Sequence, residues 1–249
     1  MPIADHVFAL AAALREAATP ERAEHEKAYL KSDLTFFGAS IPATRATARA
    51  FKRANPTMPP AERRALVAAL WDTPVHELRG VGVALLELWV NELDPDADLP
   101  LVEACLRAAG TWAHVDWLAI KVAGPLLARR PDRVAVLDRW AADPDFWIRR
   151  SALLAELDAL KAGGGDWATF ERLASGMVGE REFFIRKAIG WVLREVSKQR
   201  PDLSYAFLER HARAASGLTM REGAKYLSPA QREALAQRRT SGSGRPTGA

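Results

Sequence analysis

The sequence predicts an all-α fold, a solenoid of antiparallel helical pairs that curves into a superhelix with a basic concave groove. Three observations carry that prediction. Pro20, Pro42, Pro60, Pro100, Pro131 and Pro201 each stand just before or within the first turn of a segment with spaced apolar residues. A fixed φ and a missing N–H do least harm there. No stretch alternates apolar and polar residues between hairpin turns, so strands have no signal. The punctuation also repeats: Arg130-Pro131-Asp132 and Arg200-Pro201-Asp202 each follow one helical segment and open the next, with the prolines 70 residues apart. Two units of about 35 residues fit short variants of the HEAT or armadillo helical repeat, whose equivalent faces line one groove.

Helical segments are expected over 4–17, 21–33, 42–54, 60–71, 75–92, 99–109, 112–128, 131–141, 145–161, 166–177, 181–199, 202–214, 218–227 and 229–238. The six prolines open the second, third, fourth, sixth, eighth and twelfth. The seventh buries a stripe of Val115, Leu118, Val122 and Leu126, and the eleventh a stripe of Ile185, Ile189, Val192 and Val196. Gly163-Gly164-Gly165 lacks the strand and the lysine of a phosphate-cradling loop and reads as a linker after the ninth. A single domain is expected over 1–238. The tail 239–249 has no apolar residues to bury and is expected to be disordered.

Composition narrows the class. The 249 residues are 49% hydrophobic and 27% charged, a globular balance. A net charge of +4 and a pI near 9.4 are compatible with a phosphate-bearing partner without requiring one. The single cysteine, Cys105, excludes an intrachain disulfide framework and reads as a small core residue. No apolar run approaches the ~20 residues that span a bilayer. Asp5 and His6 replace the basic start of a signal peptide, so no membrane association and a cytoplasmic location are expected.

Several residues leave the core pattern. Trp191 lies about 130° from its helix's apolar stripe, on the side of Lys187, Arg194 and Lys198. A tryptophan on a basic face needs a cover, either a neighbouring helix or a sugar in a phosphate-binding groove. Trp112 and Asp116 share one face of the seventh segment, one turn apart and off its stripe, beside the small Ala119 and Ala123. Arg150 sits in its helix's apolar stripe with Leu153, Leu154 and Leu157. A partly buried arginine requires an anionic partner, either Asp116 or a ligand phosphate. His6, His25, His76, His114 and His211 are scattered without metal-ligand spacing, and surface or capping positions are expected for them. Trp71, Trp89, Trp117, Trp140, Trp147 and Trp167 read as structural.

With these residues in place, the chain resembles the AlkD-like DNA alkylation repair family, bacterial DNA glycosylases built from HEAT-like repeats. The most specific match is the run from Glu182 to Glu195, Glu-Phe-Phe-Ile-Arg-Lys-Ala-Ile-Gly-Trp-Val-Leu-Arg-Glu. Supporting it are Tyr29-x-Lys31, Phe36-x-Gly38-x-x-x-Pro42-x-x-Arg45, Leu70-Trp71-Asp72-x-Pro74-x-x-Glu77, Trp112-x-x-x-Asp116, Trp147-x-x-Arg150 and Arg221-Glu222, in family order over roughly residues 20 to 228. The resemblance implies a monomeric, monofunctional glycosylase without cofactor or metal. Its implied substrate is double-stranded DNA with cationic N3- or N7-alkylated purines, left in the duplex rather than flipped out. It implies Asp116, Trp112, Trp191 and Arg150 as catalytic residues, and Tyr29, Lys31, Arg149, Lys187, Arg194 and Lys198 as DNA contacts. Met220 stands where relatives often carry a second basic residue beside Arg221, and Gly110-Thr111-Trp112 lacks a second aromatic that some relatives show. The rivals are a non-catalytic DNA-binding paralogue and a protein-binding helical scaffold.

Overall fold

The computed structural model describes residues 1–240. Nine of the eleven residues expected to form a disordered tail, 241–249, lie outside it. The other two, Arg239 and Thr240, close the last helix, where the Arg239 guanidinium donates to the Ala215 carbonyl at 2.9 Å.

Every regular element among the described residues is helical. The order is α1 (Ile3–Glu16), α2 (Pro20–Leu30), α3 (Ile41–Ala54), α4 (Pro60–Asp72), α5 (His76–Leu88), α6 (Pro95–Ala108), α7 (Trp112–Leu118), a π-helical turn (Ala119–Ala123) and α8 (Gly124–Leu127). It continues with α9 (Arg133–Ala141), α10 (Phe146–Leu154), α11 (Leu157–Lys161), α12 (Trp167–Met177), α13 (Phe183–Ser197), α14 (Pro201–Arg210), α15 (Gly217–Gly223) and α16 (Pro229–Thr240). Helix starts follow the expected chemistry. Thr19, Ser40, Asp94, Thr111, Asp145, Asp166, Glu182 and Ser216 each turn a side-chain oxygen onto the orphan N–H groups of the helix they open. No helix among the described residues is long and apolar enough to cross a membrane.

Three elements depart from the sequence expectation. The segment expected over 112–128 is interrupted because Pro125 has no N–H to give. The chain widens by one residue before it, and the Gly124 N–H reaches back to the Ala119 carbonyl in an i→i−5 bond. The sixth helix starts a turn earlier than 99, since Asp94 accepts from Asp96 N and Ala97 N at 2.8 and 2.9 Å, leaving Pro100 inside the helix. The segment over 145–161 bends at Glu156, whose carboxylate accepts the Asp166 N–H at 3.3 Å across the glycine linker.

Within the expected 1–238 domain, contacts gather in two compact units, Met1–Arg133 and Val134–Ala249. In each, helices touch their alternate neighbours as well as adjacent ones. α3 meets α5, α5 meets α7, and α4 meets α6; farther on, α10 meets α12, α13 meets α15, and α14 meets α16. Alternate contact of this kind is how stacked helical hairpins bury a continuous core, and the fold is solenoid-like. The hydrogen bonds show the same period. Lys52 Nζ donates to the Leu88 carbonyl, Arg129 to that of Leu93, Arg130 to that of Pro95 and Arg200 to that of Leu160, spanning 36, 36, 35 and 40 residues. Each long basic side chain thus ties one repeat to its equivalent in the next.

Candidate functional site

The first unit carries Tyr29, Lys31, Trp112 and Asp116. Gly110, at φ +61°, turns the chain, and Thr111 caps α7 by accepting the Ala113 N–H at 3.4 Å. That makes Trp112 the first helical residue, with its ring half-buried, and Asp116 lies one turn along the same face at 8% exposure. Tyr29, 64% exposed at the end of α2, meets the Trp112 ring edge-on, with centroids 5.8 Å apart at 82°. The end of α2 and the start of α7 thus bring together an exposed phenol, an indole and a nearly buried carboxylate. Lys31 follows in the left-handed region, at φ 49° and ψ 45°, with its side chain exposed.

What fixes this corner is a strap over 31–40, which has no counterpart in helical periodicity. Its backbone bridges Ala18 to Ala39 and Thr35 to Val75. Thr35 N donates to the Pro74 carbonyl at 2.7 Å, and His76 N to that of Thr35 at 2.9 Å. Glu77, 2% exposed, collects the N–H groups of Phe37, Gly38 and Ala39 at 3.0, 2.6 and 3.2 Å. Gly38 cannot be replaced without rebuilding the strap: it holds φ +92°, and an added Cβ would fall 2.0 Å from the Thr19 carbonyl oxygen.

Beside Asp116, Trp117 donates its indole N–H to Glu87 at 2.7 Å, Arg45 pairs with the same carboxylate at 3.0 Å, and the Arg45 guanidinium lies 4.4 Å from the Trp117 ring centroid. Beneath them the histidines correct the sequence expectation. His6, His76 and His114 are buried, not surface residues. The His76 and His114 rings stack at 4.3 Å, His114 Nε2 lies 3.1 Å from the His76 carbonyl, and Phe36 stacks on His76 at 4.7 Å. Burial pushes the His76 pKa down to about 4, with Glu77 opposing and Arg79 assisting. Burial and the neighbouring His76 push His114 well below its ordinary range. Both imidazoles are therefore neutral packing groups that hold α5 against α7.

The second unit carries Arg149, Arg150, Lys187, Trp191, Arg194 and Lys198. Arg150 is 2% exposed; its guanidinium donates to the Phe184 carbonyl and lies 5.8 Å from the Phe184 ring centroid, tying α10 to the start of α13. Arg149, expected to contact DNA, has its guanidinium committed to the protein. It is bidentate to Glu180 at 3.1 and 3.0 Å and donates to the Asp143 and Pro144 carbonyls at 2.7 and 2.9 Å. Because Glu180 lies 31 residues farther on, nothing near Arg149 in sequence gave notice of it.

Lys187, Trp191 and Arg194 share one face of α13, continued by Lys198 at its C-cap, with Lys187 exposed and Trp191 half-buried. Arg194 is paired with Glu222 and Glu195, while Lys198 donates to Glu195 at 2.6 Å and lies 5.3 Å from the ring centroid of exposed Tyr226. Burial opposes ionisation of Glu195, but Lys198 and Arg194 outweigh it and hold the carboxyl below its usual range. Gly190, next to Trp191, lets α15 close on α13: a Cβ there would stand 2.7 Å from the Glu222 Cβ. Met220 is buried in the same packing. Cys105 is buried in the first unit, its thiol pushed up to about 12 by burial against the opposing pull of Arg79. Among the described residues, no three His, Cys, Asp or Glu side chains are grouped to hold a metal.

An all-helical protein of stacked repeats, presenting aromatic and basic side chains beside a nearly buried carboxylate, is of a class suited to an extended polyanion. The sequence matches the family of DNA alkylation repair enzymes over residues 10–227, and the chain belongs to that family. A solved protein from Enterococcus faecalis, itself described as a predicted DNA alkylation repair enzyme, is similar to it with a TM-score of 0.76 at 25% identity; the match covers 85% of this chain and 97% of that one. No curated protein matches the sequence.

Proposed function

We propose that the protein is a monofunctional DNA glycosylase that hydrolyses the N-glycosidic bond of cationic N3- or N7-alkylated purines in duplex DNA. It works as a cytoplasmic monomer without metal or cofactor and leaves the lesion in the base stack. Family membership supports DNA repair. The observation that carries the chemistry is the nearly buried Asp116 carboxylate one turn from Trp112, whose ring meets exposed Tyr29 edge-on.

A cationic alkylpurine leaves as a neutral base, so no acid is needed to protonate it. As the C1′–N bond breaks, its electron pair departs with the purine and positive charge develops on the deoxyribose. Asp116 stabilises that charge from a site where a low local dielectric strengthens the attraction. It also orients the water whose oxygen bonds to C1′, and the released proton passes to the carboxylate or to solvent. The Trp112 ring packs on the sugar and adds a cation–π contribution. Trp191 is assigned a second sugar contact and Arg150 a phosphate. Tyr29, Lys31, Lys187, Arg194 and Lys198 are assigned backbone contacts that position without reading sequence. Arg149 is assigned none.

The test is Asp116→Asn in single-turnover excision of 7-methylguanine. Loss of the electrostatic partner should slow release by roughly 10²- to 10³-fold with duplex affinity retained. Unchanged excision refutes the role. Binding without any release, in the wild type as in the variant, would favour the non-catalytic DNA-binding reading.

A further inference from the structure

The residues assigned to DNA above make no use of a groove between α14 and α16. The groove encloses about 720 Å³; Ala212 and Ala234 are among its lining residues, with Arg210, Arg213 and Arg238 beside a single carboxylate, Glu209. The alanines supply depth, since neither side chain extends past its Cβ. Arg210 is 61% exposed and pairs through one nitrogen with Glu171; Arg238 is 59% exposed and lies 3.9 Å from Glu209, which also accepts from the Tyr205 hydroxyl. Arg213 is exposed and makes no ion pair among the described residues.

Three guanidinium groups against two carboxylates, Glu209 and the Glu171 that pairs with Arg210, leave an excess of positive charge, in the residue type whose planar fork fits phosphate oxygens. An enclosed small anion would call for buried donors converging on one point. Here the donors come from the end of α14, the turn after it and the last turn of α16, and all three are exposed. That arrangement suits a polymer lying along the groove.

We infer that the α14/α16 groove is a second binding site for the nucleic-acid backbone, holding phosphates through Arg210, Arg213 and Arg238. The inference rests on the reading that this protein acts on duplex DNA, and the experiment separates the two. Affinity for a short unmodified duplex is measured against salt for wild type and for Arg210→Ala/Arg213→Ala/Arg238→Ala, alongside single-turnover excision at saturating protein. Each lost phosphate contact lowers the log–log salt slope by about 0.9, so for two or three contacts the affinity ratio of wild type to variant should shrink roughly 12- to 40-fold between about 50 and 200 mM salt. Excision at saturation should not change.

Equal slopes in a wild type that binds and excises would overturn the groove site alone. Equal slopes together with thermal stabilisation of the wild type, but not the variant, by inorganic phosphate would overturn it in favour of a small-anion site. A slope difference without any excision would support the groove and overturn the glycosylase reading. A wild type with neither salt-dependent affinity nor excision would overturn both.

Discussion

Removing the Glu77 carboxylate is the most direct test of how the site is held. Its two oxygens take three backbone N–H groups of the strap, and the whole side chain is 2% exposed. In Glu77→Ala, Gly38 N and Ala39 N stay buried without a partner, while half-buried Phe37 can turn to water. Each orphaned buried donor costs about 1–3 kcal/mol, and the bonds lost were charge-assisted, so a total of about 3–5 kcal/mol is expected. Glu77→Gln should cost less, about 1–2 kcal/mol. Its amide oxygen can keep the Gly38 and Ala39 bonds, but its NH₂ then faces the Phe37 donor. Urea unfolding with hydrogen exchange at residues 37–39 reads both effects. Because Tyr29 and Lys31 lead directly into the strap, Glu77→Ala should also weaken duplex binding under conditions where it remains folded. Were Glu77→Ala to unfold within about 0.5 kcal/mol of wild type, with the 37–39 amides still protected, the strap would not depend on this carboxylate, and a cost set by the orphaned donors would be refuted.

Acid should destabilise the protein through its stacked histidines. The folded His76 pKa is about 4 against an ordinary 6.5, so the unfolded chain binds a proton that the folded chain refuses. This contribution is complete above about pH 6.5 and is lost as pH falls toward 4, by about 1.4 kcal/mol per unit and about 3 kcal/mol in all. His114, lowered as well, acts in the same direction. Urea midpoints at pH 7.5 and 5 check this, with His76→Phe flattening the dependence; an identical slope in that variant contradicts the assignment. Arg149→Ala should lower stability by about 2–3 kcal/mol through loss of its bidentate partner and two carbonyls, while leaving the salt slope of duplex binding unchanged. A reduced slope would return Arg149 to the DNA contacts.

Much of the fold was legible because helix starts are written locally. Proline at the first turn and a Ser, Thr or Asp just before it place most boundaries, and the 70-residue spacing of Pro131 and Pro201 marks the period. On α7, Trp112 and Asp116 could be paired because a helix fixes what four residues mean. The failures share the opposite property. Pro125 was visible, but whether a proline breaks, kinks or widens a helix depends on how the neighbouring turns pack. The pairing of Arg149 with Glu180 and the strap bonds to Glu77 join segments 31 to 40 residues apart through loops, where no periodicity operates.

The histidines fall between these cases. His76 and His114 looked scattered, yet they are 38 residues apart, close to the spans of the basic ties elsewhere in the fold. In a stacked-repeat protein, separation by one period means adjacency in space, so polar residues one period apart are candidates for a buried pair. Applied to Arg150, the same reasoning points 34 residues on, to Phe184, whose carbonyl its guanidinium reaches. Its place in an apolar stripe predicts an anionic partner, and burial at 2% adds a structural duty. Truncating it would orphan a carbonyl as well as remove a charge, so any loss of excision in an Arg150 variant bears on catalysis only beside a measurement of its stability.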